Sequence, residues 1–146
     1  MIKKNFWANK NVLITGITGF VGSNLAKNLI ALDANVTGIS KSQKIESLFF
    51  YEDIDKKCNL VYGNLVDKEF IKNTLRKYKI EICFHLAAQI EVGHAKSYPF
   101  ETWESNIRGT YTFLEAIRTS GKKVKSVIMA SSDKAYGEHG IKKMPY

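Results

Sequence analysis

Apolar residues along this chain gather in short runs, at Val12 to Thr15, Asn35 to Ile39, Leu60 to Tyr62, Ile80 to Leu86 and Val124 to Ala130. Runs of this length with little polar alternation predict strands covered on both faces. Between most of them apolar positions recur at three and four spacing: Val21, Leu25, Leu29 and Leu32; then Phe70, Ile71, Leu75 and Tyr78; then Phe100, Trp103, Ile107, Tyr111, Leu114 and Ile117. That spacing predicts amphipathic helices. Asp67 is placed to cap the second of them, Pro99 falls in the first turn of the third, and Gly121 closes it. The stretch Lys41 to Asn59 is polar apart from Leu48-Phe49-Phe50-Tyr51 and predicts one short helix. Alternating strands and helices predict an α/β fold, a Rossmann-like doubly wound parallel sheet with right-handed crossovers.

The turn between the first strand and the first helix reads Thr15-Gly16-Ile17-Thr18-Gly19-Phe20-Val21-Gly22. Glycines at Gly16, Gly19 and Gly22 let the backbone turn sharply, approach a pyrophosphate and pack the helix onto its strand, while the helix N-terminus offers free N–H groups to phosphate. The predicted strand and helix on either side supply the context this motif needs, so the chain opens with a dinucleotide site. Sheets of this kind place ligands beyond the carboxyl ends of their strands. Those ends carry Thr15-Gly16, Ser40-Lys41, Gly63-Asn64, His85-Leu86-Ala87-Ala88-Gln89 and Ser131-Ser132-Asp133-Lys134, all small or polar.

Composition narrows the partners. With 146 residues, 45% of them hydrophobic, the chain is sized for one domain over residues 1–146. It holds no apolar stretch of about 18 residues, and Met1-Ile2-Lys3-Lys4-Asn5 leads into no apolar segment, so a soluble, cytoplasmic protein without membrane contact is expected. The formal charge of +8 comes from lysines spread along helix faces and turns, which reads as a solvated surface and not as a nucleic-acid site. Cys58 and Cys83 lack metal-ligand spacing and are expected to be free thiols.

At the end of the second strand a carboxylate would accept bonds from the adenosine ribose, whereas a cation accommodates a 2′-phosphate. Ser40-Lys41-Ser42 stands there, which leans from NAD towards NADP, although Lys41 is equally explained as an exposed turn lysine. Ala87 and Ala88 leave room for a flat ring or ribose. His85, ending a buried strand, reads as a hydrogen-bonded structural residue and not as a base. The amide of Asn106 either bridges backbone groups beneath the site or faces solvent.

Taken together, Thr15 to Gly22, Gly63-Asn64-Leu65, Phe84 to Ala88, Asn106 with Gly109-Thr110, and Ser131 to Gly137 resemble the extended short-chain dehydrogenase/reductases, in particular their nucleotide-sugar epimerases and dehydratases. The resemblance implies that Gly16, Gly19, Phe20, Val21 and Gly22 meet the cofactor diphosphate. It implies that Asn64 and Leu65 lie near adenine and that Leu86, Ala87 and Ala88 line the path to the nicotinamide. Ser132-Asp133-Lys134 is similar to the corresponding residues of CDP-glucose-type 4,6-dehydratases. By that similarity Ser132 bonds the sugar C4 oxygen, Asp133 is the acid to the C6 hydroxyl, and Lys134 is either the C5 base or an electrostatic stabiliser.

Family members also use a Tyr-x-x-x-Lys pair, and no tyrosine here has lysine four residues on. The chain therefore reads as the N-terminal, cofactor-binding portion of a longer enzyme, lacking the C-terminal substrate domain and inactive by itself. A nucleotide-sugar 4-epimerase, or a non-catalytic nucleotide-binding module, are the other readings. The full-length enzyme is expected to be a homodimer through the third helix and its successor.

Overall fold

In the computed structural model, which describes residues 4–42, 46–121 and 123–137, five strands form one parallel sheet. They are β1 (Asn11–Thr15), β2 (Asn35–Ser40), β3 (Asn59–Tyr62), β4 (Ile82–His85) and β5 (Ser126–Met129), in the order β3-β2-β1-β4-β5. Successive strands move outward from β1 in one direction and then cross to its other side, so the order reverses between β1 and β4. Pairing is in register, with Ile14 opposite Gly38 on one side and Phe84 on the other. This is the Rossmann-like doubly wound arrangement that the alternation predicts.

The apolar runs serve two faces because neighbouring side chains on a strand point oppositely. Val12 and Ile14 pack with Ile17, Ala26, Leu29, Val36 and Phe49 on one face. Leu13 and Cys83 pack with Ile39, Ile71, Leu75, Phe113 and Ala116 on the other. The first face is covered by α2 (Phe20–Ala31) and α3 (Leu48–Tyr51), the second by α4 (Lys68–Lys77) and α7 (Gly109–Thr119). A short α1 (Lys4–Trp7) precedes β1, and Trp7 packs against the first face. Asp67 caps α4 as expected, its Oδ1 accepting from Phe70 N at 3.0 Å.

Three predictions need correction. The strand expected over Ile80 to Leu86 is shorter, because Lys79 adopts φ +51° and Ile80 N donates back to Leu75 O, so Ile80 finishes the α4 turn. The stripe expected on α2 is displaced: Gly22, Ser23, Ala26 and Leu29 are buried, while Val21 is 62% exposed. The third helix begins at Pro99 as predicted but is not uniform. It runs as α6 (Pro99–Trp103), a π-helical turn over Glu104–Arg108 and α7, preceded by α5 (Val92–Ser97), which no periodicity announced. Its predicted stripe is the outer face: Phe100, Trp103, Ile107, Tyr111 and Leu114 are exposed, whereas Gly109, Thr112, Phe113 and Ala116 face the sheet.

Candidate functional site

At the carboxyl edge, where strand order reverses, a cleft of about 660 Å³ opens between the turns after β1, β2, β3 and β4. Its floor begins at Gly16, whose φ of +70° requires glycine and whose amide donates to Ile39 O at 3.1 Å. A Cβ on Gly16 would sit 2.9 Å from the backbone N and Cα of Ala87, and one on Gly22 would overlap the Gly16 carbonyl oxygen. The turn is thus closed to any side chain at those two positions. Ser23, fully buried, fixes it from within by donating to Ile17 O or Gly19 O at 3.1 and 2.7 Å.

This cradle fits a diphosphate. Gly19 is the N-cap of the twelve-residue α2 and offers no side chain to the first-turn N–H groups, and no acidic residue stands in that turn. Both features leave donors and the positive end of the helix dipole facing the cleft. Phe20, 80% exposed, and Val21 form its lip.

Along one wall lie Ser40, Lys41 and Ser42. Ser40 Oγ is already committed to Ser42 O at 2.8 Å and lies 3.3 Å from Thr18 Oγ1, while Lys41, which is exposed, brings a cation to this rim. Glu46 lines the same cleft and is the carboxylate that reading β2 alone did not find. Beyond β3, Asn64 and Leu65 line the cleft together. Asn64 Oδ1 accepts from Val66 N at 3.2 Å, which engages one of its two lone pairs.

The far wall follows β4 with Leu86, Ala87, Ala88 and Gln89. Asn106 bridges backbone, one of the two alternatives open from sequence: its Oδ1 accepts from Gln89 N at 2.6 Å and its Nδ2 donates to Gln89 O at 2.9 Å. Asn106 makes these bonds from within the π turn between α6 and α7. His85 is buried, and burial holds its imidazole below the usual histidine pKa, so it is neutral near pH 7. Its nitrogens are engaged with Thr15 Oγ1 at 2.9 Å and Thr110 Oγ1 at 3.0 Å, as a structural histidine requires. His94 and Glu101, 3.3 Å apart, complete the rim; neither was singled out from sequence, where nothing distinguishes them from surface charges.

Ser132 follows β5 at the same edge of the sheet; Ala130 N donates to His85 O at 3.0 Å, which seats that turn beside β4. Ser132 is exposed, and it is not among the residues lining the cleft. Asp133 to Tyr136 form a 3-10 turn, and the side chains of Asp133 and Lys134 lie outside the described residues. Among the described residues no cluster of His, Cys, Asp or Glu could hold a metal ion, and no helix is long and apolar enough to cross a membrane. Cys58 and Cys83 are free, and burial pushes their thiols up to about 11 and about 12 respectively.

Residues 13–145 match the family described as GDP-mannose 4,6 dehydratase. The chain is 37% identical over 137 residues to a CDP-glucose 4,6-dehydratase of Salmonella typhimurium, covering 93% of this chain and 38% of that protein. It is 30% identical over 131 residues to a UDP-glucose 4-epimerase of Yersinia enterocolitica, covering 88% of this chain and again 38% of the relative. Among solved structures it resembles a UDP-glucose 4-epimerase from Brucella ovis in complex with NAD, with a TM-score of 0.78 at 26% identity over 93% of this chain and 39% of the other. The chain thus spans less than half the length of these relatives.

Proposed function

Because the chain belongs to the GDP-mannose 4,6 dehydratase family, we propose that it is the cofactor-binding part of a nucleotide-sugar 4,6-dehydratase. The observation that carries this reading is the family match itself, which runs from the second residue past β1's start to residue 145 and so includes both the glycine cradle and Ser132-Asp133-Lys134. The likeness to a CDP-glucose 4,6-dehydratase and the shape of the cleft support it.

A nicotinamide dinucleotide, when bound, supplies the hydride acceptor for C4 of the sugar and later the donor to C6. This chain's residues do the rest. The turn Gly16 to Gly22 and the start of α2 hold the diphosphate, with Phe20 and Val21 at the lip. Lys41 holds the adenosine ribose end, with Ser40 fixing the turn beside it and keeping a lone pair for the ribose, Asn64 and Leu65 flank adenine, and Leu86, Ala87, Ala88 and Asn106 shape the wall towards the nicotinamide. Ser132 orients the C4 oxygen, Asp133 protonates the departing C6 hydroxyl, and Lys134 takes the C5 proton or stabilises the charge left by its removal. Exposed Lys41 supports NADP, and Glu46 on the same rim is the group that favours NAD.

By the same reading residues 1–146 form one dinucleotide-binding domain of a longer cytoplasmic enzyme, inactive in isolation. That enzyme is a homodimer through the exposed apolar face of α6 and α7. Replacing Asp133 by Asn in the full-length enzyme keeps the shape and removes the acid. We expect C4 oxidation to persist, elimination to slow by about a hundredfold or more, and reduced cofactor to accumulate in single-turnover absorbance. Wild-type elimination in that variant would exclude Asp133 as the acid. Recovery of a C4 epimer with its C6 oxygen retained, from CDP-, GDP-, UDP- or dTDP-hexoses, would make the enzyme a 4-epimerase, the activity named for the Yersinia relative.

A further inference from the structure

Beneath the glycine turn runs a buried polar chain that the binding residues above do not use. Thr15, with no exposed surface, places Oγ1 2.9 Å from His85 Nδ1 and 3.2 Å from the backbone nitrogens of both Leu86 and Ala87. On the other side of the imidazole, Nε2 lies 3.0 Å from Thr110 Oγ1, and the ring stacks on Phe113 at 4.8 Å between centroids. A hydroxyl has two lone pairs and one proton. The two amides occupy the lone pairs, so the proton of Thr15 goes to Nδ1, and His85 must carry its own hydrogen on Nε2 and donate it to Thr110.

We propose that His85, held as this neutral Nε2–H tautomer, is a positioning residue for the dinucleotide: it orients the Thr15 hydroxyl so that both lone pairs clamp the Leu86-Ala87 backbone against the Gly16 turn. The inference rests on the dinucleotide reading above. The clamp matters because Ala87 N and Cα are the atoms a Cβ on Gly16 would meet at 2.9 Å. The turns after β1 and β4 are therefore closer than one methyl group would allow, and a shift of Ala87 is a shift of the cradle.

The groups facing His85 are Thr15 from β1, Thr110 and Phe113 from α7, and Met129 beside it in register on β5; none of them titrates near neutrality. Burial alone keeps its pKa below the ordinary 6.5. Protonation puts a third donor, Nδ1–H, on a hydroxyl that accepts two, and strands the hydroxyl's own proton. One amide of the pair is then released; Leu86 N can fall back on the Thr15 carbonyl at 3.3 Å, whereas Ala87 N makes no second bond among the described residues. Dinucleotide affinity should accordingly fall as pH drops below 6.5.

Nitrogen-15 spectra of histidine-labelled protein without ligand report the tautomer, and amide exchange at Leu86 and Ala87 reports the clamp. We expect Nε2–H at neutral pH and loss of amide protection as His85 gains its proton. NADH and NADPH affinity should hold above 6.5 and fall across the same pH interval in which the spectra show His85 gaining its proton. In His85→Asn the side-chain carbonyl still accepts from Thr15 and cannot titrate, so the profile should be flat. Thr15→Val should lose about tenfold at every pH, and Thr15→Ser should restore it. An Nδ1–H tautomer, an unchanged pH profile in His85→Asn, or wild-type affinity in Thr15→Val would overturn the proposal. If the wild type binds neither nucleotide, the dinucleotide reading fails, and tautomer and amide protection still decide the clamp by themselves.

Discussion

The first strand-helix-strand unit and the segment that follows β4 use the same kinds of residue in opposite ways. In β1 and β2 nearly every position is buried, and the α2 residues that touch the sheet are small: Gly22, Ser23 and Ala26 beside Leu29. After β4 the large apolar residues point outward: Trp103 is 65% exposed, and Phe100, Ile107 and Tyr111 are more than half exposed, while all of β5 is open to solvent. The first unit is closed around a cleft that is already shaped. The second keeps a core side, built on Phe113, and presents an apolar surface of the kind that ordinary monomers cover. Apolar spacing alone would have assigned the outward residues of α6 and α7 to the core.

The sharpest way to break this contrast is Phe113→Ala. Its ring is fully buried against Leu13, Leu75 and His85, so the loss should be about 3–5 kcal/mol in denaturant unfolding; a cost below about 1 kcal/mol would mean α7 is not docked as described. Gly22→Ala comes next, because its Cβ meets backbone that cannot move independently of the turn. We expect about 1–3 kcal/mol of destabilisation, with dinucleotide binding reduced by a hundredfold or more in calorimetry.

Lys41→Ala tests the rim of the closed unit. Stability should be unchanged, while NADP affinity falls by about 1–3 kcal/mol and NAD affinity holds. Equal NADP binding by variant and wild type, with NAD preferred, would assign the ribose end to Glu46. Trp103→Ala should be the quietest in the monomer, within about 0.5 kcal/mol in thermal melts. If the outer face joins two copies in the full-length enzyme, the same variant should shift its sedimentation towards monomer at low concentration, and unchanged dimer would remove that face from the interface.

Stability should also report His85. Its folded pKa lies below the unfolded 6.5, so the folded chain binds fewer protons in that interval. Its share of stability is complete above 6.5 and is lost as pH falls towards the folded value. His85→Asn should flatten that part of the pH-stability curve.

Much of the architecture was legible because it depends on local patterns. Five short apolar runs, a glycine turn set between strand and helix, Asp67 before α4 and Pro99 at the start of α6 each act through their own neighbours, and the strand-helix alternation permits few other topologies. Periodicity fixes the relative phase of residues around a helix. It does not say which of two apolar faces meets the sheet, and on α7 the buried one is the narrower set, Gly109, Thr112, Phe113 and Ala116. Nor does it reveal partners far apart in sequence. Thr15 meets His85 seventy residues away, and Asn106, in its π turn, reaches back to Gln89. Sequence determined the sheet and the glycine turn, since those rest on backbone freedom and local burial. Tertiary structure alone decided which hydroxyl holds which amide and which face stays open, since those depend on how separate elements are brought together.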